Sequence, residues 1–106
     1  MKIIIDECLP KKLCGLFAEQ EAYTVPQLGL AGTQDGELLD ALEARQIDVF
    51  ITIDGNIEYQ QQFMNRTFAT IVIRSMSNRF EDLIPLQLPL NSAIKSAQKG
   101  VVVRIP

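Results

Sequence analysis

The chain contains no histidine and only two cysteines among its 106 residues. Without histidine there can be no Ser-His-Asp triad, no Cys-His dyad, no histidine-based ribonuclease chemistry and no histidine-ligated zinc. Cys8 and Cys14 match no metal or redox spacing, so we expect two free thiols in a reduced compartment and no structural zinc. Any hydrolytic chemistry must therefore depend on carboxylates, lysine, tyrosine or a metal ion held by oxygen.

Long hydrophobic runs and a surplus of basic residues are also missing. No apolar run approaches the roughly 20 residues of a membrane-spanning helix, and the apolar stretch within residues 1–6 is too short for a signal peptide. We therefore expect a cytoplasmic protein with no membrane partner. Ten basic against thirteen acidic residues give a net charge of −3. This balance argues against tight metal-free binding of nucleic acid, but it suits an enzyme whose carboxylates are neutralised by divalent cations.

The length and composition that remain are those of one globular domain covering residues 1–106. Hydrophobic residues make up 47% of the chain and charged residues 22%, which is ordinary for a folded protein and excludes a disordered one. A chain of this length buries roughly 65% of its unfolded surface, enough for a core without metal or disulfide support. The sequence shows no repeat, low-complexity tract or linker.

Strand and helix patterns alternate along the chain. Apolar, β-branched runs predict five strands, at about 3–5, 23–25, 49–53, 70–73 and 101–105. Helical spacing of apolar residues predicts helices at about 10–20, 34–45, 56–64 and 79–98. The last should form two pieces, because Pro85 and Pro89 interrupt it. This alternation predicts an α/β fold with a mostly parallel sheet, whose working edge lies beyond the carboxyl ends of the strands.

Acidic residues follow the predicted strands at that edge. Asp6 and Glu7 follow the first strand, Asp54 follows the strand at 49–53, and Asp35 opens the second helix. If the strands are neighbours, these side chains converge, and a cluster of carboxylates persists best around a cation. Mg²⁺ and Mn²⁺ prefer oxygen ligands. Such a metal activates water and stabilises the charge that develops on a phosphate during phosphodiester cleavage.

Each acid also has a purely structural interpretation. Asp35 suits the first turn of a helix, where the macrodipole favours a carboxylate. Asp54 precedes Gly55 and suits a turn, and Glu7 suits a solvated loop. Asp6 is harder to explain in this way, because a helix that begins near Pro10 would not take its cap from position 6. The functional hypothesis therefore depends on convergence of the acids and not on any single residue.

Six further polar residues are second-rank candidates near this edge: Thr52, Asn56, Arg74, Ser75, Lys11 and Lys12. The hydroxyls of Thr52 and Ser75 suit hydrogen bonds to a carboxylate or to metal-bound water, or simply the satisfaction of a strand end. Arg74 suits a phosphate or an ordinary ion pair. Lys11 and Lys12 suit attraction of a phosphate backbone, as substrate-binding residues, or plain solvation.

Three segments, in order along nearly the whole chain, carry recognisable motifs. Residues 1–10 are MKIIIDECLP, residues 28–35 are LGLAGTQD, and residues 50–56 are FITIDGN. They resemble the compact PIN-like family, which opens with a strand and Asp-Glu-Asn-Leu-Pro and continues with Leu-Gly-Leu-x-Gly-x-x-Asp and a strand ending Thr-x-Asp-x-Asp. The predicted strands near Val72 and Val101 also fall where that family has strands.

The resemblance implies a three-layer α/β/α PIN-like fold and a ribonuclease site that depends on Mg²⁺ or Mn²⁺. It implies Asp6, Asp35 and Asp54 as the catalytic, metal-binding acids, with Glu7 beside them. RNA would be the substrate. Many relatives are toxins of toxin–antitoxin pairs and many form dimers, so an antitoxin protein and a second copy of the chain are the implied partners.

Two positions depart from the family pattern. Cys8 replaces an asparagine and removes a polar contact near Asp6, and Asn56 replaces the second aspartate of the Thr-x-Asp-x-Asp segment. Asparagine still offers a carbonyl oxygen, so the substitution predicts a weakened metal site. These departures keep open a catalytically silent PIN-like module that only binds a partner.

A phosphoacceptor receiver domain is a further alternative. Receivers also carry an acidic pair after strand one, an aspartate after strand three and a Ser or Thr after strand four, which Asp6-Glu7, Asp54 and Ser75 match. Receivers use a lysine after strand five and then a final helix, whereas the predicted fifth strand here ends at Ile105 and is followed by Pro106. The receiver hypothesis also leaves Asp35 and the glycine loop at 29–32 without a role.

Overall fold

The computed structural model describes residues 1–17, 20–33, 35–53, 63–75 and 77–105, with Asp35 described by its backbone alone. Five strands form one sheet: β1 Lys2–Ile5, β2 Glu21–Thr24, β3 Val49–Ile53, β4 Ala69–Ile73 and β5 Val102–Ile105. Their order is β2-β1-β3-β4-β5, and every neighbouring pair is parallel. The predicted α/β fold is therefore confirmed, with a sheet that is entirely parallel.

Three α-helices lie within the described residues: α1 Asp35–Ala44, α2 Phe80–Leu83 and α3 Gln87–Lys95. The 3-10 helices are Lys11–Leu16, Pro26–Leu28 and Ile84–Leu86. No helix in this part of the chain is long and apolar enough to cross a membrane. The helix predicted at 56–64 falls almost wholly outside the described residues.

One helix prediction needs correction, and the two helical pieces predicted at 79–98 are confirmed, with a different role for Pro89. The segment predicted as a helix at 10–20 is a 3-10 helix of six residues, Lys11–Leu16. No side chain caps its start and no acid lies in its first turn, and Gly15 weakens helical propensity further. Pro85 does interrupt the later helix, within Ile84–Leu86. Pro89 does not, because it lies in the first turn of α3, where its missing N–H has no partner to lose.

The side chains of β1 and β3 alternate between two buried clusters. Ile3, Ile5 and Ile51 belong to one cluster, together with Leu13 and with residues of α2 and α3. Ile4 and Phe50 belong to the other, together with Leu38, Leu39 and Leu42 of α1 and with Phe63 and Phe68. Burial on both sides is what a parallel sheet requires, although the three-layer arrangement itself stays a prediction.

Leu86, Leu88 and Leu90, the leucines of the last helical segment, differ in their exposure. Leu90 is fully buried in the core, and Leu86 packs partly against it. Leu88 points the other way and is 81% exposed. Of the three, Leu88 is the one whose side chain is available to a second copy of the chain.

The carboxyl edge of the sheet is well ordered by backbone hydrogen bonds that continue past the strands. The N–H of Asp6 donates to the carbonyl of Ile51 over 2.9 Å, and the N–H of Val25 donates to the carbonyl of Ile5 over 3.0 Å. Asp6 is thereby fixed at the end of β1, which lies between β2 and β3. In open parallel sheets, ligands bind in this position, where connections leave the sheet in opposite directions.

Arg66 joins α1 to the segment that precedes β4. Its Nη1 lies 2.7 Å from Oδ1 of Asp40 and 2.6 Å from Oε1 of Glu43. The N–H of Thr67 donates to the other carboxylate oxygen of Glu43 over 3.1 Å. The hydrogen bond from Arg66, more than any other interaction, lowers the pKa of Glu43.

This pKa shift predicts a loss of stability in acid. Because the folded-state pKa of Glu43 is lowered, its contribution is complete above the unfolded pKa of about 4.3 and disappears as pH falls through the lower folded value. Urea unfolding should therefore show Glu43→Gln less stable than the wild type at neutral pH, with the gap closing in acid. Glu37→Gln, on the exposed face of α1, serves as control. A gap that is equal at both pH values would contradict the prediction.

Candidate functional site

The carboxylate of Asp6 is held in one orientation. The Thr52 hydroxyl donates to Oδ2 over 2.7 Å, and the backbone N–H of Glu7 donates to Oδ1 over 2.8 Å. A carboxylate has about four acceptor positions, so each oxygen keeps capacity for a further partner. Asp6 is half-buried, and Thr52 is buried. The arrangement gives a fixed carboxylate with coordination capacity at the carboxyl edge of the sheet.

A small cavity connects Asp6 with α1. It has a volume of about 20 Å³ and is lined by Asp6, Leu38, Leu39, Phe50 and Phe63. A space of this size holds about one water molecule or bare ion. Leu38 lies one helical turn after Asp35, the residue at which α1 begins. Leu38 and Leu39 of α1 therefore border the cavity at Asp6.

Glu7 contacts the loop that carries the second motif. Glu7 is exposed, but its Oε1 accepts a hydrogen bond from the N–H of Gly32 over 3.3 Å. Gly32 has φ +77°, a left-handed conformation that a side chain would disfavour. Glu7 therefore links the first motif to the second, although the two residues are 25 positions apart. Its side chain has a structural partner and is not merely solvated.

Ser75, Ser77 and Asn78 follow β4 in a loop at the carboxyl edge of the sheet. The Ser75 hydroxyl donates to the carbonyl of Ser77 over 2.8 Å and accepts from the N–H of Ser77 over 3.2 Å. Both hydrogen bonds of the Ser75 hydroxyl are therefore made to the backbone of Ser77. Asn78 Nδ2 donates to the carbonyl of Cys8 over 2.9 Å and ties this loop to the one after β1. No local pattern indicated Asn78, because its partner lies 70 residues away.

Arg74 follows β4 directly and is exposed. Its backbone N–H donates to the carbonyl of Ile105 over 2.8 Å, which fixes the residue at the same carboxyl edge as Asp6. Within the described ranges, its guanidinium forms no salt bridge. The ordinary ion pair considered from the sequence is therefore not found within those ranges.

Cys8, at the position of the family's asparagine, lies beside Asp6. Both cysteines are free. The residue is exposed, but its thiol is partly buried against Asp6, Thr52 and the backbone at Ile53. Burial, and secondly the negative charge of Asp6, raise the pKa of the Cys8 thiol. The thiol is therefore neutral near pH 7, and the residues beside it that can hold a hard cation are the oxygen donors.

The two candidate lysines occupy different places. Lys11 lines a cleft of about 370 Å³ together with Glu7, Leu9, Thr24, Pro26 and Gln27. Lys12, the next residue of the same 3-10 helix, is exposed and does not line that cleft. The sequence offered no means of separating these adjacent lysines, since their surroundings depend on β2 and the turn after it.

The remaining predicted site residues are not described. Asp54 and Asn56 lie outside the described residues, and the side chain of Asp35 is not described. Among the side chains that are described, no group of three or more His, Cys, Asp and Glu is arranged to hold a metal ion. Convergence of all three acids on a metal ion therefore stays a prediction.

Thr52 contacts Asp6 through its hydroxyl. Thr52→Val keeps the shape of the side chain and removes the hydroxyl that orients Oδ2. Loss of such a partner typically costs about 10- to 100-fold in metal affinity or activity. We expect a Mn²⁺ titration to show weakening in this range, with Thr67→Val, at an exposed position, unchanged. Equal affinity in Thr52→Val and wild type would contradict the positioning role.

The structure describes only part of the three motifs that resemble the PIN-like family. The segment containing Asp6 and the glycine loop are described, whereas the third motif is described only up to Ile53. The resemblance rests on the sequence motifs alone, because comparison of the chain with protein-family models, with curated proteins and with solved structures finds no match.

Proposed function

We propose that the protein is a metal-dependent ribonuclease, which hydrolyses RNA with Mg²⁺ or Mn²⁺ held by Asp6, Asp35 and Asp54. The observation that carries the proposal is the Asp6 carboxylate. It is fixed by Thr52 and by the N–H of Glu7 and keeps unused acceptor capacity at the carboxyl edge of a parallel sheet.

Among the described residues, Asp6 supplies the carboxylate of the proposed metal site. The donors at the site are carboxylate oxygens, which Mg²⁺ and Mn²⁺ prefer, and the neighbouring thiol is kept neutral. When bound, the ion would supply an activated water and stabilise charge on the phosphate. Thr52 would hold Asp6 in its coordinating orientation. Arg74, exposed at the end of β4, would bind a phosphate oxygen of the RNA.

The partners in this proposal follow from the sequence resemblance. RNA is the substrate, a basic antitoxin protein would complement the net charge of −3, and a second copy of the chain would contact Leu88. A cytoplasmic location agrees with all three. Co-purification with the product of the neighbouring gene would identify the antitoxin.

A phosphoacceptor domain is the second candidate, because one observation favours it. The strand order β2-β1-β3-β4-β5 is also that of receiver domains. The Ser75 hydroxyl, however, bonds to Ser77 within its own turn, where it cannot also serve a phosphoryl group. Labelling of Asp54 by acetyl phosphate would favour this candidate over the nuclease.

The test is an RNA cleavage assay on purified protein. Single-stranded RNA is incubated with Mn²⁺, with Mg²⁺ or with EDTA, and the Asp6→Asn variant is purified in the same way to detect contaminating nuclease. We expect cleavage by the wild type with either metal and none in EDTA. Absence of both cleavage and metal binding would reject the nuclease and leave the silent binding module.

A further inference from the structure

A cleft opens beside Asp6, between the ends of β1 and β2. Its volume of about 370 Å³ lies within the range of about 300–1,000 Å³ that is common for ligand pockets. Glu7 lies at its edge, next to Asp6 in the chain, and consecutive Cα atoms are about 3.8 Å apart. A nucleotide bound in this cleft would therefore lie next to the Asp6 site.

One wall of the cleft is fixed by reciprocal hydrogen bonds. The N–H of Thr24 donates to Oε1 of Gln27 over 2.8 Å, and the N–H of Gln27 donates to the Thr24 hydroxyl over 3.2 Å. Pro26, between them, opens the short 3-10 helix. Because Oε1 of Gln27 is occupied, its amide nitrogen is the group left to donate to a ligand.

The other wall carries two opposite charges. Lys11 is exposed and forms no salt bridge with any described residue. Glu7 uses Oε1 for the N–H of Gly32, which leaves its second oxygen as an acceptor. Leu9, which is buried, and Pro26, which is exposed, add apolar surface. The cleft thus combines a cation, an apolar surface, an amide donor and a carboxylate acceptor.

These are the groups that recognise a nucleotide. Lysine binds a phosphate, an apolar surface packs against a base, and polar side chains bind the edge of an unstacked base or the ribose hydroxyl. We propose that the cleft binds the nucleotide next to the scissile phosphate of single-stranded RNA, with Lys11 contacting its phosphate and Gln27 donating to its base. The identity of the ligand rests on the proposed function, but its binding is measurable without cleavage.

The test compares two lysines at opposite edges of the sheet. Lys11 lines the cleft, whereas Lys99 is exposed shortly before β5 and so lies at the amino edge. Binding of a fluorescein-labelled, short single-stranded oligoribonucleotide is followed by fluorescence anisotropy in EDTA, over a range of salt concentrations. Thermal unfolding followed by circular dichroism verifies that each variant is folded. If Lys11→Ala does not fold, Lys11→Gln replaces it.

We expect Lys11→Ala to weaken binding about tenfold at low salt. It should also reduce the slope of log K against log salt by about 0.7, the value for one phosphate contact to a single strand. Lys99→Ala should leave the slope unchanged. Equal losses in both variants, or no RNA binding by the wild type, would overturn the proposal.

The two proposals fail separately. If Lys11→Ala selectively weakens binding but the wild type cleaves no RNA with any metal, the cleft is a nucleotide site and the nuclease is rejected. If the wild type cleaves RNA and Asp6→Asn does not, while Lys11→Ala binds and cleaves as the wild type does, the nuclease stands and the cleft is rejected.

Discussion

Replacing Asp6 by asparagine is expected to lower the rate of Mn²⁺-dependent RNA cleavage by about 10³-fold. The substitution keeps the size of the side chain but removes the charge that would hold the cation. A bound metal supplies several kcal/mol of transition-state stabilisation, and each 1.4 kcal/mol corresponds to about a tenfold change in rate. The measurement is the initial rate of cleavage of a labelled RNA at saturating Mn²⁺.

Asp48 offers a matched control at the opposite edge of the sheet. It precedes β3, as Asp6 follows β1, and its Oδ2 accepts a hydrogen bond from the N–H of Lys2 over 2.6 Å. Asp48→Asn should therefore cost some stability but leave the cleavage rate close to that of the wild type. An Asp6→Asn protein that is folded and cleaves RNA at the wild-type rate would exclude Asp6 from the active site.

Replacing Phe50 by alanine should destabilise the fold by about 3–5 kcal/mol, the usual cost of truncating a buried phenylalanine. Phe50 is 1% exposed and is the second residue of β3. Its ring centroid lies 6.0 Å from that of Phe63 and 6.3 Å from that of Phe68. Since small domains have a total stability of about 5–15 kcal/mol, much of the protein's stability would be lost.

Urea unfolding followed by circular dichroism measures this effect. Tyr23→Ala serves as control, because Tyr23 lies on the edge strand β2 and is 37% exposed, so its truncation leaves a much smaller cavity. A loss below about 1 kcal/mol for Phe50→Ala would contradict the central position of this side chain. Phe50 also lines the cavity at Asp6, so Phe50→Leu, which preserves more of the core, should reduce cleavage as well.

The strands were well predicted because β-branched, apolar runs have few other uses in a chain of this size. The run at 49–53 matches β3 residue for residue. β2 was predicted at 23–25 but comprises Glu21–Thr24, because this edge strand is mostly exposed and lacks the apolar pattern of a buried strand. The strand order was not predictable, since β1 pairs with β3 through contacts more than 40 residues apart.

Helix type was less predictable than helix position. Leu13 and Phe17 are buried, as their spacing predicted, yet the segment forms a 3-10 helix. Periodicity shows which side chains face the core, but with Pro10 before the segment and Gly15 within it, the backbone does not sustain an α-helix. Pro89 shows the converse, because its effect depends on whether it falls in the first turn of a helix or inside it.

A residue of the candidate site could be predicted only where it directly follows a strand, because the strand then determines its place at the edge of the sheet. Asp6 directly follows a buried strand, so its place at the carboxyl edge followed from the sequence. Glu7 contacts Gly32, and Asn78 contacts Cys8, so both pairs join loops that are distant in the sequence. No local sequence pattern predicts these contacts. The 370 Å³ cleft likewise depends on the approach of β2 to the loop after β1.

In the proposed site, the Asp6 carboxylate, oriented by Thr52, helps to hold a divalent cation. Titration of the protein with Mn²⁺, followed by electron paramagnetic resonance of the free ion, measures this directly and requires no RNA. We predict saturable binding by the wild type and at least about tenfold weaker binding by Asp6→Asn. Absence of saturable binding by the wild type, or equal affinity in the folded variant, would contradict the claim.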